Sequence, residues 1–313
     1  MVAVWVALGV IALWMVASFK TSRPDGTPLR RLHPYRQLMP YVMIGRNESV
    51  VYFDTYVNAE QLLDYIEKAN SKFKCDVTHA LVGAGFVGLC ENPSMNYFVS
   101  GRRLYERKGQ SITFSMKREK KNKKAKLSAV KKQLDPSWTF RDLCENLQTE
   151  INVERSGKRT YADKEFDVFR LLPRPLMVGA QKFISLLDYY NLLPGGFIAG
   201  DGMYTSMFIA NLGSVGMGPG YHHLYEWGNC PLFMMAGKIE DRVVAEDGQV
   251  VVRKQLHIRW SYDERIDDGL SARFGIDSVK RALENPFRYL GCLSDDGSDA
   301  RKLNAPPEHE EIV

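Results

Sequence analysis

The apolar residues of this chain recur in three rhythms, and each predicts a different kind of element. The first is unbroken: residues 2–19 (VAVWVALGVIALWMVASF) contain no charged side chain. As a helix the run spans roughly 27 Å at ~1.5 Å per residue, close to the ~30 Å hydrocarbon thickness of a bilayer. A transmembrane anchor is therefore expected over residues 1–19, with Trp5 and Trp14 as candidate interfacial anchors. A cleaved signal peptide is the main rival, but nothing basic precedes the run, and Val16-Ala17-Ser18-Phe19-Lys20 is a poor cleavage site. Lys20, Arg23, Arg30, Arg31 and Arg36 follow the run, so the positive-inside rule keeps the main domain on the cytoplasmic side.

The second rhythm is that of strands. Residues 250–262 (VVVRKQLHIRWSY) alternate apolar and polar positions, as a half-buried strand does. Residues 49–57, 111–116, 126–130, 204–211 and 230–239 are β-rich runs and predict further strands. The third rhythm is helical. Leu62, Leu63, Ile66 and Ala69 share a face over residues 59–71, with Asn58 as a cap. Helices are also expected over 78–91, 138–155, 163–171, 176–190 and 276–283. Gly83, Gly85 and Gly88 lie inside an apolar run with no strand just before it, which favours close helix packing over a phosphate loop. Residues 20–32 contain Pro and Gly and predict a linker, and residues 293–313 predict a disordered acidic tail. Between them, residues 33–292 are expected to form one α/β domain.

Composition changes this picture in one place. The net charge is +5, but residues 117–132 carry nine basic groups and one acid, leaving the rest of the chain slightly acidic. A general nucleic-acid-binding surface is not indicated, so no nucleic acid is expected as partner. The basic run, Lys117 to Lys132, predicts a hairpin with its tip at residues 120–124. It is either a solvated loop or a second membrane contact, drawn to anionic lipid by ~1 kcal/mol per Lys. The five cysteines are widely spaced without a CxxC pair, which fits free thiols in a reducing compartment and no metal site.

The candidate chemistry lies in residues 263–269 (DERIDDG). Four carboxylates, Asp263, Glu264, Asp267 and Asp268, crowd six residues around Arg265 at a strand end. A charged turn with Gly269 at positive φ accounts for the pattern equally well.

The order of the motifs resembles the catalytic domain of 2-oxoacid dehydrogenase (dihydrolipoamide) acyltransferases. Residues 36–43 (RQLMPYVM) are similar to that family's opening segment, and residues 91–96 (ENPSMN) to its helix-terminating stretch. Residues 209–213 (IANLG) are similar to its "hSNLG" strand end, and DERIDDG to its "DHRxxDG" signature. The resemblance covers roughly residues 30–290. It implies an α/β fold: a chloramphenicol-acetyltransferase-like mixed-sheet sandwich with packed helices, here preceded by one transmembrane helix. It also implies a homotrimer with each active site between subunits. A coenzyme A thioester is the implied co-substrate, with no covalently bound cofactor. Its general base is a histidine, and Glu264 stands in that place, while Asp268 matches as the second catalytic position. Its oxyanion hydroxyl falls at Ala210, so Tyr204, Thr205 and Ser206 are candidate substitutes. Asn211 and Arg265 are the further substrate-binding candidates, and His222 and His223 are candidate partners of Glu264. His33, His79 and His257 fit structural or surface roles. No lipoyl domain of its own is expected. The resulting expectation is a membrane-tethered acyltransferase with a non-standard site, the alternative being a catalytically lapsed trimeric scaffold or acyl-CoA-binding pseudoenzyme.

Overall fold

In the computed structural model, residues 1–118, 127–156 and 172–305 are described. The chain begins with helix α1 (Val2–Phe19), of mean hydropathy 2.3 and with none of its length buried, long and apolar enough to cross a membrane. Strand β1 (Gly26–Pro28) and helix α2 (Pro34–Val42) follow, then β2 (Val50–Asn58), α3 (Glu60–Asn70) and α4 (Val77–Glu91). Next come β3 (Tyr97–Ser100), β4 (Arg103–Arg107), β5 (Gln110–Lys117), β6 (Leu127–Leu134) and α5 (Phe140–Arg155). Helix α6 (Arg174–Tyr189), β7 (Met207–Asn211), β8 (Leu232–Glu246), β9 (Gln249–Asp263) and α7 (Gly269–Glu284) complete the larger elements.

Six strands form the main sheet in the order β2-β9-β8-β7-β5-β6, with β7 parallel to both β5 and β8 and the other pairs antiparallel. Parallel neighbours need long crossovers, and the segments carrying α5 and α6 supply the one between β5 and β7. Alternation along the strands sorts the two faces. Met207, Ile209, Met234 and Ala236 enter the main core with α4, while Phe208, Ala210, Phe233 and Met235 form a second cluster closed by Leu224 and Cys230. A smaller sheet, β1-β4-β3, sits beside the main one. The glycines of α4 permit close approach: a Cβ at Gly83 would stand 2.7 Å from the Phe140 ring, and one at Gly88 2.6 Å from Val279.

Several expectations need correction. Residues 20–32 are no loose linker. β1 pairs with β4 inside this stretch, and Arg23 is buried in ion pairs with Asp25 and Asp188. Asp188 lies 165 positions from Arg23, and β1 has only three residues, below the length at which periodicity speaks. The start of the tail is packed too: Leu303 is 1% exposed, and Asp299 accepts backbone N–H bonds from Leu293 and Ser294. Helix α7 starts seven residues before the expected 276, because Asp268 caps it, and Gly269 is its first residue rather than a left-handed turn residue. Helix α3 starts one residue later than expected, with Asn58 still accepting from the Glu60 N–H. The hairpin tip at 120–124, the helix expected at 163–171 and residues 306–313 of the tail lie outside the described residues. Within the basic run, Arg118 and Lys132 pair with Glu154 and Glu150, and Lys131 donates to the carbonyls of Ile198 and Asp201.

Candidate functional site

The end of β9 is held from three directions. Asp263, 1% exposed, accepts a bidentate pair of bonds from Arg265, at 2.8 and 2.7 Å, and a third from the Ser49 hydroxyl. Arg265 then donates its remaining nitrogen to the carbonyls of Met43 and Ile44, which fastens the turn to the loop after α2. From α2 itself, Arg36 donates to the Glu264 carbonyl and faces Asp267 and Asp268 at 3.6 Å each. The Glu264 N–H donates to the Ser49 carbonyl. Asp268 caps α7 by accepting the Ser271 N–H, and that bond holds its carboxyl below the ordinary range. Asp267 accepts the Asp268 N–H.

This arrangement separates four carboxylates that look alike in sequence. Three have partners, whereas the half-buried Glu264 carboxylate has neither hydrogen bond nor ion pair among the described residues. Arg265 is bound to structure: it is 3% exposed, and its guanidinium is occupied by Asp263 and two carbonyls. Its edge still lines a cleft of about 200 Å³, together with Ile44, Arg46, Arg102, Tyr204 and Trp227.

The other candidates disperse. The Thr205 hydroxyl donates to the Ser111 carbonyl, and the Ser206 hydroxyl accepts the Ser111 N–H, so both start the parallel pairing of β5 with β7 from a fully buried position. Tyr204 packs with Leu193 and Ile198, and burial raises its phenol pKa. Asn211 donates to the Thr78 hydroxyl and accepts from the Ser214 N–H, on the wall of a second cavity of about 180 Å³ with Phe114, Met116 and Leu212. His222 stacks on Phe233 at 4.1 Å and on His223 at 4.8 Å, and burial lowers its pKa. The second histidine, His223, is exposed, and its Nδ1 lies 3.1 Å from the Leu224 carbonyl. Neither histidine bonds to Glu264 among the described residues.

Register measures the dispersal. Asn211 pairs with Ala236 and Ala236 with Ile258, whereas Asp263 lies five residues farther along β9. At ~3.3 Å per residue, the signature turn and the β7 end are roughly 16 Å apart along the sheet.

Sequence reasoning missed a buried ionic network beside the cleft. Arg23 pairs with Asp25 and Asp188, and Arg107 bonds Asn229, which in turn donates to Asp25. Burial pulls Arg107 down to about 10 against the attraction of Asp25. Its members span residues 23 to 229, so no local spacing signals it.

Comparison with known proteins places this geometry. Residues 201–290, which include both the β7 end and the signature turn, match the model of the 2-oxoacid dehydrogenases acyltransferase (catalytic domain) family. A dihydrolipoyllysine-residue succinyltransferase component of the 2-oxoglutarate dehydrogenase complex of Cupriavidus necator is 49% identical over 51 residues, 16% of this chain and 12% of the relative. A lipoamide acyltransferase component of the branched-chain alpha-keto acid dehydrogenase complex of Pseudomonas putida is 38% identical over 60 residues, 18% of this chain and 14% of the relative. The aligned segments thus span a small part of those curated relatives. Among solved structures, a probable dihydrolipoamide acetyltransferase of Listeria monocytogenes superposes with a TM-score of 0.55 at 15% identity, covering 83% of this chain and 95% of that one. The cubic core of a pyruvate dehydrogenase multienzyme complex gives 0.53 at 16% identity, covering 83% and 93%. A chloramphenicol acetyltransferase gives 0.50 at 11% identity, covering 82% and 99%. The mixed-sheet fold expected from the motif order is therefore the fold observed.

Proposed function

We propose that this protein, whose residues 201–290 match the model of the 2-oxoacid dehydrogenases acyltransferase (catalytic domain) family, is a membrane-tethered acyltransferase that moves an acyl group from a coenzyme A thioester to an acceptor thiol or hydroxyl. The observation that carries the reading is Glu264, the carboxylate without a partner among the described residues, in a turn whose other acids are all engaged. In this reading Glu264 takes the acceptor's proton as the acceptor oxygen or sulfur bonds to the thioester carbonyl carbon. Collapse of the tetrahedral adduct breaks the carbon–sulfur bond, and Glu264 returns the proton to the departing coenzyme A sulfur. A glutamate of ordinary pKa ~4.3 is a weak base for a thiol of ~8.5, an uphill transfer of about 6 kcal/mol. The site would need burial by substrate, or a second subunit, to close that gap.

A homotrimer fits the separation along the sheet, since a neighbouring copy can bring its β7 end to this turn. The apolar α1 supports a tether, and the basic residues after it support a cytoplasmic main domain.

One observation favours a second reading, the lapsed scaffold or acyl-CoA-binding module. Ala210 offers no hydroxyl, and Thr205 and Ser206 are bonded to Ser111. Loss of one oxyanion donor typically lowers rate ~10²–10³-fold.

Thiol release from a panel of acyl-CoAs separates the two readings, using the full chain in detergent because residues 20–32 are packed. The enzyme reading expects turnover in the wild type, a loss of ~10²-fold or more in Glu264→Gln, and faster release in Glu264→His. No turnover in the wild type, with Glu264→Gln indistinguishable from it, would overturn this reading in favour of the scaffold.

A further inference from the structure

Helix α6 carries an apolar stripe on which nothing packs among the described residues. Leu176, Phe183 and Leu186 are 59%, 60% and 53% exposed. With Gly179 they recur at i, i+3, i+7 and i+10, which confines them to one narrow side of a 3.6-residue helix. Extending the same spacing by four reaches Tyr190, the residue that ends the helix. On the adjacent side, Ile184 and Leu187 pack against the cluster of Leu193, Ile198 and Tyr204, so the helix is attached to the domain along one edge and, among the described residues, bare along the next.

The stripe leads to the anchor. The Trp14 indole of α1 donates to the Tyr190 hydroxyl at 3.1 Å. Arg103 donates to the carbonyls of Ser18 and Lys20, and Asn191 donates to the Lys20 carbonyl at 2.8 Å. Arg23 pairs with Asp188 of α6 at 3.0 Å. The chain leaving α1 is therefore clamped to the end of α6, and the orientation of the domain relative to α1 is set by these bonds.

Depth follows from the same contact. Trp14 precedes the last residue of α1 by five positions, roughly 7 Å along the axis at ~1.5 Å per residue. With α1 in a bilayer, Tyr190 stands at that depth, in the zone where Trp and Tyr concentrate. Amphipathic helices lying in the interface sink ~5–10 Å into the boundary of headgroups and acyl chains. The exposed cations Arg174 and Lys182 on α6 suit headgroup phosphates.

We propose that α6 lies in the interface of the same bilayer, its Leu176–Phe183–Leu186 stripe in contact with phospholipid, as a second contact beside the spanning helix. The proposal rests on the tether reading above. It gives the protein one fixed orientation on the membrane, with the cleft lined by Tyr189, Ile44 and Arg265 close to the lipid surface.

The test uses the full chain in vesicles of phosphatidylcholine and phosphatidylglycerol. A fluorophore is attached at Phe183→Cys, or at Val243→Cys as a water-exposed control. Cys90→Ser is included because the other four native cysteines are buried. The proposal expects spin-labelled lipid to quench the Phe183 position roughly threefold or more over the control, with protection from aqueous iodide. Co-flotation with vesicles but iodide quenching equal to the control overturns the proposal and leaves the tether intact. Protection from both quenchers, relieved on dilution, overturns it in favour of a second copy covering the stripe. Failure to float with vesicles overturns the tether and this proposal together.

Discussion

Asp54 gathers three donors on one strand face: the Tyr221 hydroxyl, His257 Nε2 and Arg259 Nε. Burial works to raise its pKa, but the three hydrogen bonds outweigh it and hold the carboxyl at about 2. A folded pKa below the unfolded ~3.9 contributes stability that is complete above about pH 4 and is lost as pH falls toward 2. Asp54→Asn should therefore be less stable than wild type in urea at pH 6, with the difference shrinking by pH 2.5; a difference that does not change with pH would refute this. The contact also bears on the site. Arg259 donates as well to the Pro219 carbonyl, so the same residues pin the loop that carries His222 and His223. At this scale the sequence was legible in composition and not in assignment. It showed four acids around Arg265, but which one is free depends on Ser49, Met43 and Ile44, more than 200 positions away.

At the scale of elements, α4 is the clearest case. The apolar run with three glycines predicts close packing, and Gly88 lies against Val279 of α7 accordingly. Gly88→Ala gains up to ~1 kcal/mol of helix propensity. Its Cβ would also sit 2.6 Å from Val279 Cγ2, closer than side-chain carbons approach. Overpacking of that kind costs ~1–3 kcal/mol. The net expectation is a lower melting temperature, partly recovered in Gly88→Ala/Val279→Ala; additive losses in the double variant would contradict direct contact. Long elements such as α4, β2 and β9 were legible because their composition or alternation extends over many residues. The short strands β1, β3 and β4 were not, because three to five residues carry too few repeats to reveal a period.

At the scale of the molecule, the roughly 16 Å between the β7 end and the signature turn is the main constraint on function. A complete site of the proposed kind needs a second copy, so sedimentation of the detergent-solubilised chain should give three times the 35.7 kDa protomer. A monomer across the working concentration range would sink the shared-site reading. The sequence by itself determined the apolar N-terminal helix, the mixed α/β domain and the positions of the family motifs, because charge, periodicity and motif order are local or ordered along the chain. Only the tertiary structure decided that residues 20–32 clamp α1 to α6, that among the described residues Glu264 alone of its turn's acids lacks a partner, and that Thr205 and Ser206 serve strand pairing. Each of those outcomes depends on hydrogen-bond and ion-pair partners brought together from distant parts of the chain, and no local pattern encodes which distant group a buried polar atom will meet.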